Sequence, residues 1–93
     1  MRTPERIARV VVVRGLVQGV LFRDACRRQA LDAGLEGWVR NEHDGSVRAL
    51  FEGPPDSVDQ LVRWMHDGPR NAIVEEVDVA ETDVAGLSGF SVR

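Results

Sequence analysis

From Ile7 to Arg14 the chain is apolar at most positions, with Val10, Val11, Val12 and Val13 in a row. β-branched residues favour the pleat, and apolar residues on both parities predict a central strand. Gly15 punctuates it, and Gln18 to Leu21 reads as a short loop with Gly19 inside it. From Phe22 to Ala33 the period becomes helical. Phe22, Cys26, Gln29, Ala30 and Ala33 fall near one face, with Arg27, Arg28 and Asp32 mostly outside it. Gly34 suits the left-handed position that ends a helix. Gly37 to Asn41 is a second strand. Glu42-His43-Asp44-Gly45 then carries the Asp-Gly hairpin signal. Ser46 to Glu52 alternates Val47, Ala49 and Phe51 against Arg48, Leu50 and Glu52, a third strand. Gly53-Pro54-Pro55 breaks the chain. A second helix is expected from Asp56 or Ser57, either of which can cap it. Val58, Leu61, Val62 and Met65 give its apolar stripe, and Gly68-Pro69 stops it. Val74 to Thr82 is a fourth strand, and Phe90 to Arg93 allows a short edge strand.

This order, β-α-β-β-α-β, predicts an α+β ferredoxin-like fold: an antiparallel sheet with both helices on one face. The 93 residues are read as one domain, residues 1–93, with a flexible start over Met1–Glu5. No repeat, linker or low-complexity tract interrupts it.

Composition adds exclusions. With 43% hydrophobic and 29% charged residues the chain has the make-up of a globular protein rather than a disordered one. One cysteine, Cys26, makes no internal disulfide. No apolar run reaches the length of a membrane span, and the start lacks the apolar stretch of a signal peptide. A cytoplasmic location and no membrane partner are the expectation. The net charge of −3 disfavours nucleic acid. Positive charge is nonetheless dense early, at Arg14, Arg23, Arg27, Arg28 and Arg40, and a single pocket can still attract an anion.

The start of the first helix is the point of chemical interest. Gln18-Gly19-Val20-Leu21-Phe22 offers none of the preferred capping residues, although Gln18 has the reach to turn back onto the free amides. A bound anion would satisfy those amides, favoured by the helix dipole. Gly19 lets the loop turn its amides inward as a nest, and Arg23 at its mouth can grip two phosphate oxygens at once. Water would serve the same amides, with Arg23 merely solvated. Topology favours the anion. In this fold strands one and two are parallel with strand three between them, so the loop after strand one and Asn41 at the end of strand two share one edge. They lie two strand spacings apart, about 10 Å. Asn41 can orient a water and touch a phosphoryl oxygen. As an isolated residue it would be read as a turn former.

Gly15 to Arg23 resembles the first signature of the acylphosphatase family, G-x-V-Q-G-V-x-F-R, with Leu21 at a variable position. Gly37-Trp38-Val39-Arg40-Asn41, followed by Gly45, Val47 and Gly53, resembles the second. Gly68-Pro69, Ala72, Val74 and Val77 are similar to a later segment. The resemblance implies hydrolysis of acyl phosphates to carboxylate and inorganic phosphate, with no metal and no cofactor. It places the family's phosphate-binding arginine on Arg23 and its water-orienting asparagine on Asn41. The amides of Gln18, Gly19, Val20, Leu21, Phe22 and Arg23 would form the cradle. A monomer is expected, with the acyl phosphate and phosphate as its partners.

Other residues read as structural. Asp24 would oppose a bound anion and suits the first helical turn. His43 reads as a solvated turn residue, and His66 suits the last turn of its helix. Neither has metal-ligand spacing to the other or to Cys26, which reads as a small core residue. Asp78 lacks a second carboxylate. Trp38 is expected to pack at the sheet, and Trp64 lies off its helix's apolar stripe. Two rivals share the topology. An RNA-binding module needs aromatic residues on its central strands. Here strand one offers valines and strand three only Phe51. A non-catalytic regulatory domain is disfavoured by Arg23 and Asn41 occurring together.

Overall fold

A computed structural model describes residues 5–93. The expected flexible start at Met1–Glu5 falls mostly on residues 1–4, outside the described ones. The elements are β1 (Ile7–Leu16), α1 (Phe22–Asp32), β2 (Glu36–Asn41), β3 (Val47–Gly53), α2 (Pro55–Met65), β4 (Ile73–Thr82) and β5 (Phe90–Val92). They build one five-stranded sheet in the order β4-β1-β3-β2-β5. β1 and β2 each pair antiparallel with β3, so they run parallel to one another. Val13, Val47 and Asn41 stand at one level, which puts the ends of β1 and β2 on the same edge.

Three expectations are corrected. First, Gly15 does not end the first strand. β1 continues to Leu16 through a register shift against β4 between Arg14 and Gly15. Gly15 has φ 131°, and a Cβ there would lie 2.2 Å from the Ile73 carbonyl oxygen. Only glycine lets the two backbones approach so closely past the bulge. Second, α2 has no polar cap at Asp56 or Ser57. Its N-cap is Pro54, with Pro55 in the first turn and no side-chain cap bond. Proline lacks the amide that would need an acceptor, and its fixed φ suits the first helical position. Third, the sheet is mixed, because β5 pairs parallel with β2. The chain leaves β4 at one edge, crosses in residues 83–89 and returns along the opposite edge.

The helices share one face. Val11, Val13, Val39, Val47, Ala49 and Phe51 point from the sheet into a core closed by Phe22, Cys26 and Ala30 of α1 and by Val58, Leu61 and Met65 of α2. Phe90 of β5 stacks on Phe51, centroids 5.7 Å apart. The other face carries Val12, Leu50, Arg48 and Trp38, the last with the guanidinium groups of Arg40 and Arg93 over its ring at 4.7 and 5.0 Å. The crossing segment is anchored by Glu52, which is fully buried at the end of β3 away from Asn41. Its carboxylate accepts hydrogen bonds from the amides of Ala85 and Leu87 at 2.6 and 3.0 Å. A buried carboxylate without such partners would be costly. Glu52 therefore fixes the path by which the chain reaches β5.

Candidate active site

α1 starts without a side-chain cap, as its sequence suggests, and it does so from a left-handed residue. Its N-cap is Leu21, φ 62° and ψ 26°. Leu21 is the one non-glycine residue with positive φ among the described residues. Gly19 has φ 74°, while Val20 between them is not positive. Alternation of left- and right-handed residues curls a backbone so that successive amides converge, the geometry of an anion nest. The loop then meets a helix whose first amides lack a side-chain acceptor, and the helix dipole adds positive potential there.

Gln18 does not turn back to cap α1. Its Nε2 donates to the carbonyl oxygens of Glu42 and Ser46, at 2.8 and 2.9 Å. Those carbonyls flank the hairpin that follows Asn41, where the Glu42 amide also donates to Ser46 O. Gln18 thus bridges from the loop after β1, past the end of β3, to the hairpin beside β2. The hairpin is stiffened by Asp44, whose Oδ1 accepts from the Ser46 hydroxyl at 2.6 Å and the Ser46 amide at 3.0 Å. These bonds, the hydroxyl's first, hold the Asp44 carboxyl below its ordinary value of 3.8.

Arg23 and Asn41 line one cavity of about 480 Å³, together with Val17, Gly19, Leu21, Phe22, Asp24 and Val92. Both are half-buried. Arg23 makes no salt bridge among the described residues, whereas Arg6, Arg9, Arg14, Arg28, Arg40 and Arg48 each have an acidic partner within 4.0 Å. An uncompensated guanidinium at the start of a helix gives the cavity a positive end. Phe22 is buried against Trp64, ring centroids 5.4 Å apart, and Gly68 packs against its ring, so the residue before Arg23 is fixed in the core. Trp64, off the apolar stripe of its helix, is thus a support for the loop.

Of the residues expected at the site, Gly19, Leu21, Phe22, Arg23 and Asn41 line the cavity, while Gln18 and Val20 do not. Three lining residues were missed. Val17, which stands in the motif just before the loop, is buried in the core. Asp24, read only as a favourable helix-start residue, lines the cavity and pairs with Arg28 at 3.7 Å. Val92 was expected only on an edge strand. The parallel pairing of β5 with β2 brings it there, and the Arg27 side chain bonds the Phe90 carbonyl to fasten β5 to α1. Cys26 is buried, and burial pushes its thiol well above the usual range, which leaves it inert. His43 is exposed in the hairpin. The His66 ring meets the Val62 carbonyl at 2.9 Å. Asp78 bonds Arg14 at 3.2 Å.

A sequence model of the acylphosphatase family matches residues 9–92. An acylphosphatase of Rubrobacter xylanophilus is 54% identical over 84 residues, covering 89% of this chain and 76% of that one. The structure of an acylphosphatase from Coxiella burnetii superposes with a TM-score of 0.91 at 39% identity, over 95% of this chain and 93% of that one. The acylphosphatase from Bacillus subtilis superposes at 0.90 with 33% identity, over 94% and 98%. The chain belongs to the acylphosphatase family, with its ferredoxin-like α+β fold.

Proposed function

We propose that this chain is an acylphosphatase that cleaves the carboxyl-phosphate bond with Arg23 and Asn41 and without a metal. The observation that carries the reading is the shared cavity. A half-buried arginine without a salt bridge among the described residues, the left-handed Gly19 and Leu21, and Asn41 line one cavity at an uncapped helix start. Among the described residues, no three of His, Cys, Asp and Glu gather as a metal-ligand set. In this reading the loop amides and Arg23 supply the positive field.

The phosphoryl group sits in the cradle of residues 18–23, two of its oxygens gripped by the Arg23 fork. Asn41 holds a water in line with the scissile bond. The water oxygen attacks phosphorus, the bond from phosphorus to the acyl oxygen breaks, and its electron pair leaves on the carboxylate. The water's proton ends on the phosphate, because Asn41 is no base. The products are a carboxylate and dihydrogen phosphate. The leaving carboxylate needs little assistance, so positioning and charge stabilisation carry the rate.

In this reading residues 1–93 form one acylphosphatase domain that acts as a cytoplasmic monomer. No helix of the described residues is long and apolar enough to cross a membrane. Phosphate release from acetyl phosphate, followed with and without excess chelator, tests the proposal. Turnover that survives the chelator is expected. No turnover of the folded protein, or loss on chelation with recovery on adding metal back, would overturn it.

A further inference from the structure

The cavity is larger than its phosphate end requires. At about 480 Å³ it lies in the range of sites for whole small molecules, roughly 300–1,000 Å³. Arg23, Asn41 and the loop account for a phosphoryl group and a water. Part of the remaining lining is apolar. Val17 and Phe22 are buried and belong to the core. Leu21 and Val92 are different, because they present side chains to solvent, 75% and 42% exposed.

Leu21 breaks two local rules at once. A leucine in the left-handed region is strained, a strain that glycine or asparagine would largely avoid. Its side chain also stands mostly in water, so no core packing offsets that strain. Violations of this kind collect at functional sites, where a ligand completes what the free protein leaves open. Val92 reaches the same opening from β5, held there by its pairing with Val39 and by the Arg27 bond to the Phe90 carbonyl. Asp24 adds a negative charge to the rim, kept in place by Arg28 one helical turn away.

Building on the proposed acyl-phosphate hydrolysis, we infer that Leu21 and Val92 form the subsite for the acyl group, and that Asp24 excludes acyl groups bearing a second anion. The substrate class is then an apolar acyl phosphate, aryl or branched alkyl, rather than one whose acyl part carries a carboxylate or phosphate. The phosphoryl group takes the amides and Arg23. The substituent then covers Leu21 and Val92 and removes their apolar surface from water. A carboxylate on that substituent would meet the Asp24 charge within a Debye length.

Three probes with the same scissile bond test this: acetyl phosphate, benzoyl phosphate and 4-carboxybenzoyl phosphate. For each protein the ratios of kcat/KM between probes are compared, so that the folded fraction and the intrinsic step cancel. Leu21→Asn keeps a residue that tolerates the left-handed conformation while removing the apolar side chain. Leu21→Asn and Val92→Ser should each lower the benzoyl-to-acetyl ratio roughly fivefold, a modest value for an open hydrophobic site. Asp24→Asn should raise the 4-carboxybenzoyl-to-benzoyl ratio about threefold at low salt, and the gain should shrink as salt is added. Turnover of acetyl phosphate with the benzoyl ratio unmoved in both Leu21→Asn and Val92→Ser would overturn the subsite alone. A 4-carboxybenzoyl ratio unmoved in Asp24→Asn would overturn the charge exclusion. A wild-type protein that turns over none of the three would overturn the underlying reading instead.

Discussion

Removing the Gln18 amide should cost both stability and rate, and in a fixed proportion of causes. Its two hydrogens satisfy the Glu42 and Ser46 carbonyls at 2.8 and 2.9 Å, from a half-buried position. Each such bond contributes about 0.5–1.5 kcal/mol. Gln18→Ala should therefore destabilise by roughly 2 kcal/mol, since the hairpin bond from the Glu42 amide to Ser46 O remains. In a domain of this size that lowers Tm by roughly 8–16 °C. Gln18→Glu should be worse at neutral pH, because a carboxylate oxygen would face two carbonyl oxygens. Protonation would restore one donor, so the gap between Gln18→Glu and Gln18→Ala should narrow in acid. The kinetic consequence follows from where the bridge lands. It joins the loop that bears the cradle to the hairpin beside Asn41, and an error of about 1 Å between phosphate and water can cost up to 10²-fold. kcat for acetyl phosphate should fall by about tenfold or more, with the inhibition constant of inorganic phosphate changing less. The assays are thermal unfolding by circular dichroism and steady-state hydrolysis at a temperature where each variant is folded. A Gln18→Ala protein melting within about 2 °C of the wild type, with unchanged kcat, would refute the bridging argument.

Arg23 and Asn41 should fail differently. Arg23→Lys loses the planar fork and should lose most phosphate affinity by calorimetry, whereas Asn41→Ala should keep that affinity and lose single-turnover hydrolysis. Glu52→Gln sets an amide NH2 against the amide of Ala85 or Leu87 and should destabilise by roughly 2–3 kcal/mol, measured by urea unfolding. Glu36→Gln, at an exposed ion pair with Arg6, should cost under about 1 kcal/mol. The Asp44 carboxyl is held below its ordinary value by Ser46, so the stability it adds is present above that value and is lost as pH falls through the lowered one. The fall in Tm between about pH 5 and pH 2 should thus be smaller in Asp44→Asn than in the wild type.

Much of this was legible in the sequence, and the reasons for the rest are specific. The valine run of β1, the alternation of β3 and the Asp-Gly hairpin carry strong local periods, so those elements and the parallel relation of β1 and β2 could be read directly. The placement of Arg23 and Asn41 at one cavity followed from that topology. The Arg14/Gly15 bulge did not, because a glycine after a strand looks the same whether the strand ends or shifts register. Pro54-Pro55 read as a break, although proline opens a helix as readily as it ends a strand. Glu52 occupied an ordinary polar position in an alternating strand. Its burial depends on residues 83–89, which have no period of their own. Phe90-Ser91-Val92 is too short to declare its partner, so Val92 could not be assigned to the site.

The sheet order β4-β1-β3-β2-β5 also makes the site a gauge of completed assembly. Arg23 belongs to the segment following β1, Asn41 ends β2, and the strand that spaces them, β3, comes later in the chain than either. No local fragment holds both halves of the constellation. The pairings that unite them are long-range ones, the kind that loop-closure entropy delays. Inorganic phosphate, bound as proposed, would recognise only chains in which β3 has slotted between its neighbours. It should slow the unfolding limb of the chevron while leaving the folding limb nearly in place, provided the rate-limiting ensemble has yet to seat that strand.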